Sequence, residues 1–293
     1  MSLQAAQLLF KEGKLDEAEA AAMELLDSES HNPSLFLLLG TLCFKSRKGS
    51  LATNYLNRAV ELDPKNFVAQ FSLGRMYSDL GHQDKALEHY QKARELREDD
   101  YHVHLRMGAS TQALGDYEQA ESLFKRAVQL QPEAIEALND LGVLMSHLGL
   151  YDEAKKYYRK VLELHPDVIQ AHYNYAGLCK YTEDEPHLQE LKSMADVEGA
   201  SKHHKTLVNF SLGKAYNDIG DYDLAGKHFE LGNRMRRSRY HYATEETADK
   251  MRKIAQLGLI PGEPAASRGR DLVFIIGMPR SGTTLTEQIL GAH

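Results

Sequence analysis

Small and large apolar positions alternate along this chain on a ruler of 34 residues. Ala6, Gly40, Gly74, Gly108, Gly142 and Ala176 follow one another at that step, and Ala18, Ala52, Ala86, Ala120 and Ala154 keep it too. A third register holds Gly13, Gly81, Gly115 and Gly149, with Arg47 in the glycine's place in the second unit. Pro64, Pro132 and Pro166 close three units, and Glu98 sits at the equivalent point of another. The pattern predicts two helices per unit. Glycine ends the first helix, an acidic or polar residue opens the second, and proline stops the second before the next unit. Gly74 and Ala86 are small enough for two helices to approach closely, while Tyr77, Tyr90, Phe124 and Tyr158 fill the gaps between. No unit can bury its apolar face alone, so the units are expected to stack into a superhelix.

The step slips after Ala176, and the next matching glycine, Gly213, lies 37 residues on. Thr182-Glu183-Asp184-Glu185-Pro186 stands where the interhelical turn is due, and Pro186 is predicted to open a helix running through Met194. Leu212, Gly213, Tyr216, Gly220, Ala225 and Phe229 then mark another unit. The count is five regular repeats, a sixth with a divergent second helix, and a seventh. A 34-residue step with small residues at these offsets resembles the tetratricopeptide (TPR) repeat family. The resemblance implies an all-α solenoid over residues 1–240 whose concave face is lined by the first helix of each unit. By register that face includes Phe71, Arg75, Asp79, His102, Leu105, Gln112, Asn139, Ser146, Tyr173, Lys180, Phe210, Lys214 and Asn217. Tyr173, Phe71 and Phe210 are the candidate anchors for an extended peptide, with packing as the plainer reading of aromatics at helical spacing.

Beyond the repeats, Arg234, Arg236, Arg237 and Arg239 make a basic helix end, favoured there by the helix dipole. Thr244-Glu245-Glu246-Thr247 reads as the capped start of a helix to about Leu257. Gly258 to Gly269, with Pro261, Gly262 and Pro264, reads as a linker, so residues 241–270 connect the array to the C-terminal stretch.

That stretch, 271–293, carries the chemistry. Asp271-Leu272-Val273-Phe274-Ile275-Ile276 reads as a buried strand, and Leu285 to Leu290 as the first turns of a helix. Between them runs Gly277-Met278-Pro279-Arg280-Ser281-Gly282-Thr283-Thr284. Strand, glycine-bounded loop and helix N-terminus form a phosphate cradle, because backbone N–H groups and the helix dipole both point at the anion. The Gly277-x4-Gly282 spacing begins like a Walker A loop, but Thr283 stands where the lysine belongs and the positive charge is Arg280. An ATPase or kinase needs that lysine on the β- and γ-phosphates, so γ-phosphoryl chemistry is not expected.

The run Phe274 to Leu285 resembles the 5′-phosphosulfate loop of sulfotransferases that use 3′-phosphoadenosine 5′-phosphosulfate (PAPS). The Pro-Arg-Ser-Gly-Thr-Thr-Leu form is closest to protein-tyrosine sulfotransferases and to bacterial-type sulfotransferases with TPR repeats in front. The order of repeats, basic helix end, connecting helix, Pro/Gly linker and loop is similar to that family as well. The resemblance implies that Pro279, Arg280, Ser281, Gly282, Thr283 and Thr284 hold PAPS as co-substrate. Arg280 is then the catalytic residue that neutralises charge on the bridging oxygen as the sulfuryl group leaves. It further implies a hydroxyl acceptor, such as tyrosine on a polypeptide, presented by the concave face. The family's general base and 3′-phosphate site lie past His293, so the sulfotransferase domain is expected to be truncated here and these residues alone inactive. The expected architecture is an all-α TPR solenoid followed by the first strand, loop and helix of an α/β sulfotransferase domain. The alternative function is a TPR interaction scaffold without activity.

Composition narrows the rest. A net charge of -7 with no basic tail argues against nucleic acid as a partner. No apolar run approaches the roughly 20 residues of a membrane span, and Met1 to Gln7 lacks the pattern of a signal peptide. Cys43 and Cys179 make no disulfide framework, so a reducing cytoplasm is expected. Histidines such as His203-His204 and His102-x-His104 lack partners at metal-ligand spacing, and no metal is expected. Ser281 lies in a phosphate loop rather than a Gly-x-Ser-x-Gly elbow, so no hydrolase nucleophile is supported.

Overall fold

A computed structural model of the 293-residue chain describes residues 2–238 apart from Asp196, together with Asp249 and Arg252. Fourteen α-helices and no strand occur among the described residues. Apart from α11 and α12, they pair in chain order. The first two repeats are α1 (Leu3–Lys11) with α2 (Leu15–Met23) and α3 (Pro33–Lys45) with α4 (Gly49–Leu62). The third and fourth are α5 (Phe67–Asp79) with α6 (Gln83–Leu96) and α7 (Tyr101–Ala113) with α8 (Tyr117–Leu130). The fifth is α9 (Ile135–His147) with α10 (Tyr151–Leu164). Next come α11 (Ile169–Leu178) and the short α12 (Pro186–Ala195), then the long pair α13 (Lys202–Ile219) and α14 (Tyr222–Arg237). This is a TPR solenoid of seven repeats.

The sequence ruler has a direct physical counterpart. Gly13, Gly81, Gly115 and Gly149 all adopt positive φ at the turn between paired helices, and Arg47 does so with a side chain attached, at φ 57°. In five of the seven repeats a glycine of the first helix lies against the ring or branch of a residue 16 positions on, and alanine stands at that register in the first and sixth. A Cβ added to Gly74, Gly108 or Gly142 would fall 2.5–2.7 Å from ring carbons of Tyr90, Phe124 or Tyr158. The larger residues therefore cap the small ones rather than merely filling space between pairs. Tyr90, Phe124 and Tyr158 are buried, in cores that run across neighbouring pairs.

Successive first helices from α1 to α9 pack against one another as well as against their own partners, and the second helices meet first helices on either side. That arrangement puts the first helices on the inner surface. The slip after Ala176 is visible as a rebuilt repeat. Helix α11 stops at Leu178, the chain runs extended through Cys179, and α13 packs directly on α11. Helix α12 then closes the core of Ala176, Tyr181, Leu188, Leu191, Val208 and Leu212 from the side. It begins at Pro186, as the sequence predicted.

Contacts divide the chain into Met1–Arg239 and Tyr240–His293. In the second unit, Asp249 and Arg252 are helical and form an ion pair at 2.9 Å. The strand at 271–276, the loop residues Pro279, Arg280, Ser281, Gly282, Thr283 and Thr284, and the linker all lie outside the described residues, as does Arg239 of the basic cluster.

Candidate functional site

Two regions of the described repeats carry chemistry, the inner face and a cluster of imidazoles in the sixth repeat. On the inner face the register of the sequence holds with one correction. Arg75, Asp79, His102, Tyr173, Lys180 and Asn217 are exposed. Phe71, Gln112, Asn139, Ser146, Phe210 and Lys214 are half-buried. Leu105 is the exception: it is 0% exposed and belongs to the core with Tyr101, Phe124 and Leu141. An apolar side chain at this register is covered by the neighbouring first helix instead of lining the groove.

Of the three candidate aromatic anchors, two are packing residues. Phe71 stacks on Phe67 at 6.0 Å and tilts against Tyr90 at 5.7 Å. Phe210 lies against Gly232, whose missing Cβ leaves room for the ring. Tyr173 is 39% exposed. Several polar residues bridge repeats across the face: Arg106 to Glu136 at 2.8 Å, and Asn174 donating to Asn139 at 3.1 Å. Lys214 pairs with Asp218 and donates to the Cys179 carbonyl. Burial would raise Asp218, but Lys214 and the Tyr181 N–H outweigh it and hold the carboxyl below its ordinary range. Nearer the N-terminus the face is cationic and aromatic. Lys45 sits 4.8 Å over Phe10, and Arg75 lies 5.2 Å over Phe44, each reaching from one repeat to the one before.

The imidazole cluster grows from a device that several repeats share. The fourth residue of a first helix holds the turn that precedes it. Gln70 donates to the Pro64 carbonyl at 3.0 Å, and His104 Nε2 to that of Glu98 at 2.8 Å. His172 Nε2 does the same to Pro166 at 2.8 Å. In the third repeat the other end of that side chain meets the second helix 19 residues on, where His89 Nδ1 donates to Gln70 Oε1 at 2.8 Å. In the seventh, Asn209 keeps only that second contact: His228 Nδ1 donates to its Oδ1 at 2.9 Å, while its amide donates to the Lys205 carbonyl within α13. In the fourth repeat Leu123 stands at that offset, and His104 Nδ1 is buried with no hydrogen-bond partner.

In the rebuilt sixth repeat His187, at the N-terminus of α12, takes the partner's place. Its Nε2 lies 2.9 Å from His172 Nδ1, and its Nδ1 lies 2.6 Å from the Tyr181 hydroxyl. One tautomer of each ring satisfies the whole chain. Tyr181 donates to His187 Nδ1, His187 Nε2–H donates to His172 Nδ1, and His172 Nε2–H donates to the Pro166 carbonyl. Burial pushes both imidazoles toward neutrality; burial, then His172 and Arg159, take His187 down to about 3. Glu190 Oε2 lies 3.9 Å from His172 Nδ1, and its other oxygen is 3.4 Å from Arg159. Arg159 also bonds the Tyr175 hydroxyl at 3.1 Å and lies 4.7 Å over that ring. One ligand atom each from His172, His187 and Glu190 lie within 4.8 Å of one another. Sequence reading missed this cluster because the two histidines are 15 residues apart across an irregular turn. Neither free cysteine suggests a reactive thiol, since burial raises both.

Family comparisons agree with this architecture. Residues 3–66, 55–88 and 101–167 match models described as tetratricopeptide repeat. Residues 272–293 match a model described as sulfotransferase family. An uncharacterized protein of Aquifex aeolicus (strain VF5) is 29% identical over 118 residues, which is 39% of this chain and 15% of that protein. This chain therefore spans only a small part of that relative's length. Among solved structures, the C-terminal part of a TPR repeat-containing protein from Cytophaga hutchinsonii superposes with a TM-score of 0.62 at 17% identity, over 80% of this chain and 95% of that one. MamA residues 41 to the end from Desulfovibrio magneticus RS-1 give 0.54 at 19%, over 56% and 93%. YrrB, described as a TPR protein with an unusual peptide-binding site, gives 0.52 at 22%, over 58% and 87%. At these identities the likeness is one of fold.

Proposed function

We propose that this TPR array is the acceptor-binding front of a PAPS-dependent sulfotransferase whose catalytic unit begins at residues 271–293. The observation that carries the reading is the order of parts: seven stacked repeats, then a stretch matching a sulfotransferase family over 272–293. The array supplies a polar inner face with one exposed aromatic, Tyr173, and a cationic–aromatic start at Phe10, Lys45, Phe44 and Arg75. Such a face suits an extended polypeptide, and YrrB, which shares the fold, is described as having a peptide-binding site. Pro279, Arg280, Ser281, Gly282, Thr283 and Thr284 would hold the 5′-phosphosulfate. Backbone N–H groups would supply most of the bonds and Arg280 the charge on the departing oxygen. The acceptor hydroxyl must lie in line with the sulfur and lose its proton to a general base.

The native protein carrying this loop is expected to bind adenosine 3′,5′-bisphosphate, measured by calorimetry. R280A should weaken that binding by about ten- to a hundredfold, the worth of a charge-assisted hydrogen bond. Equal binding by both proteins would remove Arg280 from the site. A second reading, a TPR interaction scaffold without transfer, draws on the solenoid itself. It predicts polypeptide binding with no affinity for the nucleotide.

A further inference from the structure

We propose that His172, His187 and Glu190 form a divalent transition-metal site, of the zinc type, in the rebuilt sixth repeat. The donor set is two imidazole nitrogens and one carboxylate oxygen, and its ligand atoms already lie within 4.8 Å of one another. This combination leaves a fourth position for water or for a group from a bound partner.

The surroundings match what a metal requires of its ligands. A histidine ligand is held best when its far nitrogen donates to a fixed acceptor. For His172 that acceptor is the Pro166 carbonyl at 2.8 Å, which leaves Nδ1 as the ligand atom. For His187 it is the Tyr181 oxygen, 2.6 Å from Nδ1, which leaves Nε2. The two ligand nitrogens face each other at 2.9 Å and now share a proton in a hydrogen bond. Co-ligands at about 2.1 Å from a tetrahedral ion sit roughly 3.4 Å apart, so the two nitrogens need to part by about half an ångström and each ring to turn until its lone pair leaves the N···N line and points at the ion. The His187 proton then moves from Nε2 to Nδ1, and the Tyr181 hydroxyl turns from donor to acceptor. Glu190 is half-buried and one helical turn along from His187, so its carboxylate swings toward the rings from the same helix. Arg159 opposes a cation here, but its guanidinium keeps the Tyr175 hydroxyl and ring when Glu190 turns away.

The other repeats supply the contrast. The third repeat's latch pairs one imidazole with a side-chain amide, Gln70 with His89, and the seventh repeat makes the same kind of pair between Asn209 and His228. The sixth places two neutral imidazoles together and sets a carboxylate 3.9 Å from one of them. A hydrogen-bonded latch needs only the first kind of pair.

That contrast also provides the test. H172Q reproduces the Gln70 arrangement, in which the amide donates to the turn carbonyl and accepts from the imidazole, so it should fold. E190Q changes a half-buried carboxylate outside the latch. The full chain, stripped with EDTA, is titrated with Co²⁺ and with Zn²⁺. Wild type should take one equivalent at this site, with the intense visible bands of a four-coordinate Co²⁺ centre. Zinc at a hundredfold above Kd should raise the melting temperature by about 5 °C or more. H172Q should melt with the wild type in EDTA yet lose the bands and the shift, and E190Q should bind at least tenfold more weakly. No uptake by wild type, or equal bands and shift in H172Q, would overturn the proposal. Should H172Q melt early, E190Q decides alone: binding equal to wild type contradicts the site.

Discussion

Ala134 stands where Asn32, Asn66 and Asp100 each cap a first helix with a side-chain oxygen. Its backbone is extended in the same way, φ -71° and ψ 107° against -78° and 104° at Asn66. Only the acceptor is missing. A134N should therefore stabilise the array by about 1 kcal/mol, read as a higher urea midpoint with an unchanged slope. Asp140 makes the opposite kind of local statement. Burial, with Glu136 adding to it and Arg106 opposing, raises its carboxyl from 3.8 to about 6. Between those values the folded protein holds the proton more firmly than the unfolded chain does. The group's contribution to stability thus grows as pH falls through 6 toward 4, and its ionisation weakens the fold at neutral pH. D140N should gain about 1–2 kcal/mol at pH 7.5, with the advantage shrinking to nothing near pH 4. Denaturant melts at the two pH values check it; an equal gain at both would put the cause elsewhere.

At the scale of the helix pair, the approach of glycine to ring is the controlling contact. G142A places a methyl 2.5 Å from the buried Tyr158 ring, while G177A in α11 meets nothing within 4 Å. The first should cost about 1–3 kcal/mol. The second should be neutral or stabilising by up to about 1 kcal/mol, because a helix interior prefers alanine. A thermal melt of the two variants separates them. The repeat ruler made these pairs legible in advance, since Gly142 and the turn at Gly149 recur on it. The divergent α12 was legible from Pro186. Leu105 was misplaced because a register assigns a face but not what the next helix covers. The latch from Gln70, His104 and His172 to the preceding turn was not visible either. Its partners sit at offsets that cross a turn, and side-chain reach rather than periodicity brings them together. His104, with Leu123 opposite, shows the same device left incomplete.

For the whole molecule, the described repeats form one array, and no helix among the described residues is long and apolar enough to cross a membrane. Of the inner-face residues that sequence register assigned, Arg75, Asp79, His102, Tyr173, Lys180 and Asn217 are exposed, Leu105 is in the core and the rest are half-buried, while the phosphate-loop residues were read from their motif alone. Those two parts meet in one claim, that the repeats deliver a polypeptide acceptor to a sulfuryl donor held at residues 277–284. The most direct measurement is sulfuryl transfer from PAPS by the native protein to a polypeptide acceptor and to a small phenol. Both are assayed with wild type and with the double variant R75A/Y173A, whose changed residues are exposed on the inner face. The variant is expected to raise KM for the polypeptide by roughly tenfold, about 1.4 kcal/mol, and to leave kcat and the small acceptor unchanged. No transfer from PAPS by the native protein, or the same KM for both acceptors in both proteins, would contradict it.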